Sequence, residues 1–271
     1  MNIFQTILSW FQKKGEVIVP KNLTGSPAFN FAPPITNTSA SWLPYFSKPY
    51  RTQLANGWDM DNCATRAAIE TIEALLNYYL RNHLFIAPIE TFFTNPKNGW
   101  LNANGDIQLS IRYNARENNT TQQGARVDTV WNNFAIYGVV PASMYPEVVD
   151  TWVDYYQDVP DDICMLGEYT ITLIQILWSV VVNGSWQVPN IPLFQQKLQN
   201  SPLYFASCIG NRNSDGTEVY NGSTQCVHCR VLAAEDGWQE VLDSYSYPNY
   251  IMKLSQNFPL YCVVEMQIHI I

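Results

Sequence analysis

A cysteine at position 63 stands between a polar turn, Met60-Asp61-Asn62, and a run in which apolar residues recur at 64, 67, 68, 72, 75, 76 and 79. That spacing predicts a helix over 64–80 with one broad buried stripe. Asp61 or Asn62 suits the cap at its start. A thiol at a helix N-terminus meets a partial positive charge and N–H groups that have no intrahelical acceptor. Both stabilise its thiolate, and the same N–H groups suit a developing oxyanion. Taken alone, a cysteine in this place is more often a packed core residue.

A nucleophilic thiol needs a base, and the chain has three histidines, His83, His228 and His269. His83 lies at the far end of the predicted helix, about 30 Å from Cys63 at ~1.5 Å rise per residue. His269 falls in the last predicted strand, as a surface or core residue. His228 opens a predicted strand after a polar loop, a place from which site residues commonly emerge. A base must in turn be oriented by a third group. Asp243 stands at the end of the following strand, and a hairpin brings both side chains to one edge of a sheet. The plain alternative is a hydrogen-bonded strand histidine and a turn-forming aspartate.

The elements that must position these three residues divide the chain in two. Residues 15–50 are rich in Pro, Asn, Ser and Thr and read as an extended surface arm held by its aromatics. Residues 94–125 read as loop. Residues 127–137 read as a helix closed by Gly138, and residues 193–198 as a short helix with Pro192 at its first position. LYFASCIG reads as a strand and residues 210–225 as a polar loop. CVHCRVLAAE and WQEVLDSY read as strands joined at Asp236-Gly237, and FPLYCVVEMQIHI as a final strand. A helical first half and a β-rich second half predict the α+β class.

These pieces resemble the papain-like cysteine peptidases. There a cysteine opens the long central helix, here NCATRAAIETIEALL. A short helix and strand precede the histidine, here IPLFQQKLQNSPLYFASCIG. The histidine strand is CVHCRVLAAEDGW, and Asp243-Ser244-Tyr245 stands where the family has Asn-Ser-Trp. VWNNFAIYGVVPASMYP resembles the stretch before the family's Tyr-Pro turn. Peptidase-like proteins of tailed bacteriophages are closer still, on Asp59 to Cys63 and on DSYSYPNYIMKL. The resemblance spans roughly residues 40 to 265. It implies a helical lobe over about 55–165, a twisted antiparallel β lobe over about 185–271, and an N-terminal amphipathic helix and arm over 1–39 preceding a peptidase domain over 40–271.

By the same resemblance Cys63 is the nucleophile, His228 the general base and acid, and Asp243 the orienting group in place of the family's Asn. The family's oxyanion-hole Gln corresponds to Gly57, so Gln53 or Asn56 of the same loop would have to substitute. Asp61, two residues from the thiol, opposes thiolate formation. The implied activity is cleavage of a peptide or amide bond, with a virion or host-cell setting. The alternative is a peptidase-like fold without turnover, acting as a virion or assembly component.

Composition narrows the rest. The net charge of −8 disfavours nucleic acid as the main partner. No stretch approaches ~18 apolar residues; the nearest, 171–182, is shorter and contains Gln175, so no transmembrane segment is predicted. The N-terminal apolar run precedes Lys13 and Lys14, the reverse of a secretory signal. Ile3, Phe4, Ile7, Leu8 and Phe11 would form one docking face. Six cysteines without an export signal read as free thiols. Cys226, His228 and Cys229 offer three zinc ligands without a second pair, so no metal and no cofactor are expected. Glu70 and Glu73 read as a solvated helix face, and 158–162 as an acidic loop. No phosphate- or dinucleotide-binding glycine pattern occurs.

Overall fold

The computed structural model describes residues 35–55, 58–121, 124–125, 127–147, 149, 151–182, 190–223, 228–245 and 250–271. The expected N-terminal helix, most of the arm, Asn56, Gly57 and Cys226 lie outside these residues.

The predicted central helix, α1, spans Cys63–Arg81 and is buried on nearly every side, not along one stripe. Its alanines 64, 67, 68 and 74 let neighbouring backbones approach closely, and Ile69, Ile72, Leu75 and Leu76 fill the core between them. Glu70 and Glu73 are not a solvated face. They are 6% and 1% exposed, and the reason is partners the sequence does not juxtapose. Glu73 accepts the Leu109 backbone N–H at 2.7 Å and pairs with Arg51 at 2.5 Å. Arg51 also pairs with Glu147, which in turn pairs with the fully buried Arg66.

Around α1 stand α2 (Ala87–Thr94), α3 (Ile111–Glu117), α4 (Val127–Tyr137), the single turn α5 (Trp152–Tyr155) and α6 (Asp161–Ile171). Helix α3 lies inside the segment expected to be loop. Ser110 caps it by accepting the Tyr113 N–H, and burial of Ile111, Tyr113 and Ala115 outweighs the polar composition of its surroundings. Helix α6 likewise occupies part of the expected acidic loop, with Asp161 and Asp162 in its first turn, where the helix dipole favours negative charge. Gly138 does close α4, at φ +65°, and a Cβ there would stand 2.0 Å from the Gly167 carbonyl oxygen. A seventh helix, α7 (Ile191–Leu198), opens at Asn190, whose side chain accepts the Leu193 N–H.

The strands begin with a small pair, β1 (Leu54–Ala55) and β2 (Trp58–Asp59). The rest form one eight-stranded sheet: β3 (Ile174–Val182), β4 (Leu203–Ser207), β5 (Asn211–Arg212), β6 (Thr217–Val219), β7 (His228–Glu235), β8 (Gln239–Leu242), β9 (Ile251–Leu254) and β10 (Tyr261–Ile270). Their order is β3-β10-β4-β7-β8-β9-β6-β5. The sheet is mixed, because β6 runs parallel to β9 while the other pairs are antiparallel. Two of its strands, β5 and β6, lie in the segment expected to be a polar loop. The β7–β8 hairpin turns at Asp236-Gly237 as its residues predict, with Gly237 at φ +71°.

Helix α1 packs on β4, β7 and β10, and one hydrophobic cluster runs from α1 and α4 through to β10. The described end of the arm joins the same body. Trp42 is fully buried, its indole N–H donates to the Leu198 carbonyl at 2.6 Å, and its backbone N–H donates to Ala233. No described helix is long and apolar enough to cross a membrane.

Candidate active site

Cys63 is the first residue of α1 and is partly buried. Asn62 stands at the cap position, but its side chain does not cap. It donates to the Tyr155 hydroxyl at 2.7 Å instead, and Asp61 takes a left-handed φ of +50°. The first-turn N–H groups of α1, that of Cys63 among them, are therefore not consumed by a side-chain cap.

His228 is the first residue of β7, and the hairpin brings Asp243 to it. Val231 pairs with Leu242. One further step sets Arg230 beside Asp243, and His228 becomes the diagonal neighbour of Asp243 on the same face. The His228 ring meets Asp243 with Nε2 3.1 Å from Oδ1. Both side chains are fully buried. The second carboxylate oxygen, Oδ2, accepts Arg230 Nε at 2.7 Å and an Arg212 guanidinium N–H at 3.1 Å. Glu218 braces both arginines, Arg230 at 2.8 Å and Arg212 at 3.1 Å. Burial opposes a charge on Asp243, but Arg230, His228 and Arg212 together outweigh it and hold the carboxyl well below the usual carboxylate range.

Arg212, Glu218 and Arg230 belong to this site although their sequence surroundings do not single them out. The available signal is spacing: Arg230 shares a strand face with His228, and Arg212 and Glu218 are among three charged residues in a segment otherwise composed like a loop. Tyr245 covers the His–Asp contact. Its ring lies 4.7 Å from the imidazole, and its N–H donates to Asp243 Oδ1 at 2.7 Å.

With Nε2 taken by Asp243, the ring nitrogen left to serve Cys63 is Nδ1, which is buried and has no partner of ordinary hydrogen-bond geometry. The Cys63 thiol acts on this ring. Hydrogen bonding from the Cys229 thiol draws the Cys63 thiol down, burial opposes, and the hydrogen bond and charge of His228 add to the lowering. Burial likewise opposes charge on His228, but Asp243 and then Cys63 raise the imidazole to about 9. Thiolate and imidazolium thus favour each other. Asp61 is pushed up to about 6 by burial, by Asp59 and by Cys63.

Gln53 is fully buried and its amide is engaged at both ends. Its N–H donates to Asp59 at 2.8 Å, and its oxygen accepts the Ser244 hydroxyl at 2.6 Å. Asp59 also accepts the Tyr245 hydroxyl. Gln53 is therefore a brace between the loop before α1 and the loop after β8. The second oxyanion candidate, Asn56, lies outside the described residues.

The other histidines stand apart. His83 is exposed and pairs with Glu90 at 3.1 Å. His269 lies near the end of β10, opposite Gln175 of β3. Of the expected zinc alternative only His228 and Cys229 are described. No cluster of three or more metal-ligating side chains occurs among the described residues.

No family model and no curated protein matches the chain. Solved cysteine protease structures do. The Carica candamarcensis cysteine protease CMS1MS2 matches with a TM-score of 0.52 and 13% identity over 84% of this chain and 96% of that one. A clostridial cysteine protease, Cwp84, matches with a TM-score of 0.54 and 12% identity over 84% of this chain, which spans 57% of that one. At these identities the likeness concerns the fold, which is papain-like and α+β.

Proposed function

We propose, with a papain-like fold as the premise, that this chain is a thiol hydrolase of peptide or amide bonds acting through Cys63, His228 and Asp243. One observation carries the reading: a buried imidazole bonded through Nε2 to a doubly clamped carboxylate, with Nδ1 left for a thiol at an uncapped helix start. His228 takes the thiol proton, and the Cys63 sulfur attacks the substrate carbonyl. The negative charge on the carbonyl oxygen is met by the Cys63 N–H. The imidazolium then protonates the leaving amine, and a thioester remains. His228 deprotonates a water, which attacks the thioester and releases the acid and Cys63. Asp243 keeps its charge throughout and stabilises the imidazolium in each half-reaction.

Labelling of the folded chain tests the first step. At pH 6 a peptide-based thiol electrophile should modify Cys63 at least about tenfold faster than any other cysteine, because an ordinary thiol is almost wholly protonated there. Equal rates at Cys63 and at the likewise partly buried Cys164 and Cys262 would overturn the reading. Hydrolysis of peptide substrates should disappear in Cys63→Ala.

The likeness of Asp59 to Cys63 and of DSYSYPNYIMKL to phage peptidase-like proteins supports a virion setting, with a structural protein or a cell-wall peptide as substrate. New N-termini in either material after incubation with the chain, absent with Cys63→Ala, would identify which. A second reading, the same fold without turnover, is favoured by the engaged Gln53 amide and by Asp61 beside the thiol. It predicts slow labelling of Cys63, no faster than that of the other cysteines, with no cleavage of any peptide.

A further inference from the structure

A cavity of about 590 Å³ opens between the segment entering α1, the segment before α3 and the turn after α4. That size falls within the ~300–1,000 Å³ of small-molecule sites. Neither Cys63, His228 nor Asp243 lines it. Its walls are mostly apolar. Tyr50 and Tyr250, both partly exposed, meet there with ring centroids 6.0 Å apart and planes tilted by 53°. Trp100 forms another part of the wall, packed against Phe92 and Phe93 at 5.3 and 5.1 Å between centroids. Its indole N–H is buried and has no acceptor among the described residues.

The charged groups of the lining are already paired with each other. Arg51 donates to Glu147 at 3.0 Å, and also to Glu73 and to the Leu109 carbonyl. Glu147 accepts Arg66 on its other oxygen at 2.7 Å. The side chains of Arg51 and Glu147 stay 16% and 13% exposed. These bonds leave N–H groups on Arg51 unused and a lone pair on each Glu147 oxygen. Gln108 adds an amide with a donor and an acceptor. Its backbone is pinned by hydrogen bonds with Trp100 and Ala142, each 2.9 Å.

We propose that this cavity binds a neutral saccharide, with a sugar face on the tyrosine rings and hydroxyls on the Arg51–Glu147 pair and on Gln108. The charge pattern disfavours other ligands. An anion drawn to Arg51 meets Glu147 and Glu73 beside it, and a cation drawn to Glu147 meets Arg51 and Arg66. A wholly apolar ligand strips water from the ion pair and returns no hydrogen bond. A sugar hydroxyl both donates and accepts, so it replaces water at Arg51 and Glu147 alike. The ring C–H groups of a pyranose suit the electron-rich faces of Tyr50 and Tyr250. Met60, which also lines the cavity, stands three residues before Cys63. Binding there needs no thiol, so the proposal stands apart from whether the chain cleaves a peptide.

Saturation-transfer-difference NMR on the full folded chain tests it. Cellobiose and N,N′-diacetylchitobiose are the neutral probes; cellobionate and chitobiose are matched probes carrying negative and positive charge. At least one neutral disaccharide should bind in the millimolar range, with transfer to its ring protons and more tightly than either charged probe. Tyr50→Ala and Gln108→Ala should each weaken that binding at least about tenfold. Gln108 is partly exposed, which makes it the variant least disturbing to the fold. The parent chain alone supplies the first reading, so a poorly folding variant does not spoil the test. No transfer to either neutral disaccharide, tighter binding of a charged probe, or parent-like binding in both variants would overturn the proposal.

Discussion

Asp243 sits at a position where a neutral amide would suffice to orient an imidazole, and it carries a full charge instead. Two arginines explain how that charge survives burial, since Arg230 and Arg212 share its second oxygen and Glu218 balances them. Removing the carboxylate while both arginines stay is the costly change. Asp243→Ala should destabilise the chain by about 3–5 kcal/mol in urea denaturation. Asp243→Asn retains an acceptor but loses the charge that raises His228. The folded pKa of His228, about 9, lies above the ordinary 6.5. The pair's stabilisation is therefore fully present below pH 6.5 and is lost as pH rises through 9. In Asp243→Asn that alkaline decline in the urea midpoint should vanish; an unchanged decline would detach His228 from Asp243. Asp61 acts in the opposite sense. Titrating at about 6, it is charged above that pH and opposes the neighbouring thiolate. Asp61→Asn, which also tolerates a left-handed φ, should speed alkylation of Cys63 several-fold at pH 8 and leave it unchanged at pH 5.

At the scale of elements, α1 is the axis of the molecule and carries a buried ionic network along one side. Arg51 and Arg66 face the carboxyl groups of Glu70, Glu73 and Glu147, so two positive charges meet three acids. Burial first, aided by Glu73 and Glu147 and opposed by Arg66 and Arg51, pushes Glu70 up to about 8. At neutral pH Glu70 is mostly protonated and the network balances. A carboxyl raised from 4.5 to about 8 gives up stability as pH rises across that window, at no more than about 1.4 kcal/mol per pH unit. Glu70→Gln should flatten this decline, leaving the variant more stable than the parent at pH 9 and no more stable at pH 4. A parent-like slope in Glu70→Gln, followed by thermal melts across pH, would remove Glu70 as its source.

For the whole molecule, helices and sheet share a core. Tyr79 of α1 donates to the Ile268 carbonyl of β10 at 3.0 Å, and the Gln53–Ser244 contact ties the loop before α1 to the loop after β8. With one cluster crossing the boundary, the described parts should unfold together. Helical circular dichroism and tryptophan fluorescence should trace one urea transition; two separated midpoints would mean that the helical and β halves fold independently.

Much of this was legible along the chain because it depends on local rules. The period of α1, Gly138 after α4, Asp236-Gly237 in the hairpin and the meeting of His228 with Asp243 across it are matters of spacing and backbone preference, and the sequence alone determined them. Helix α3 and strands β5 and β6 were not legible, since their short polar segments are ordered by contacts with residues far along the chain. The same holds for the charges. Nothing local distinguishes Glu70 on a buried helix from a solvated acid, or shows that Arg230 and Arg212 will share Asp243. Only the tertiary structure decided these, because the energy of a buried charge or thiol is set by what the fold brings within a few ångströms of it, and sequence distance carries no record of that.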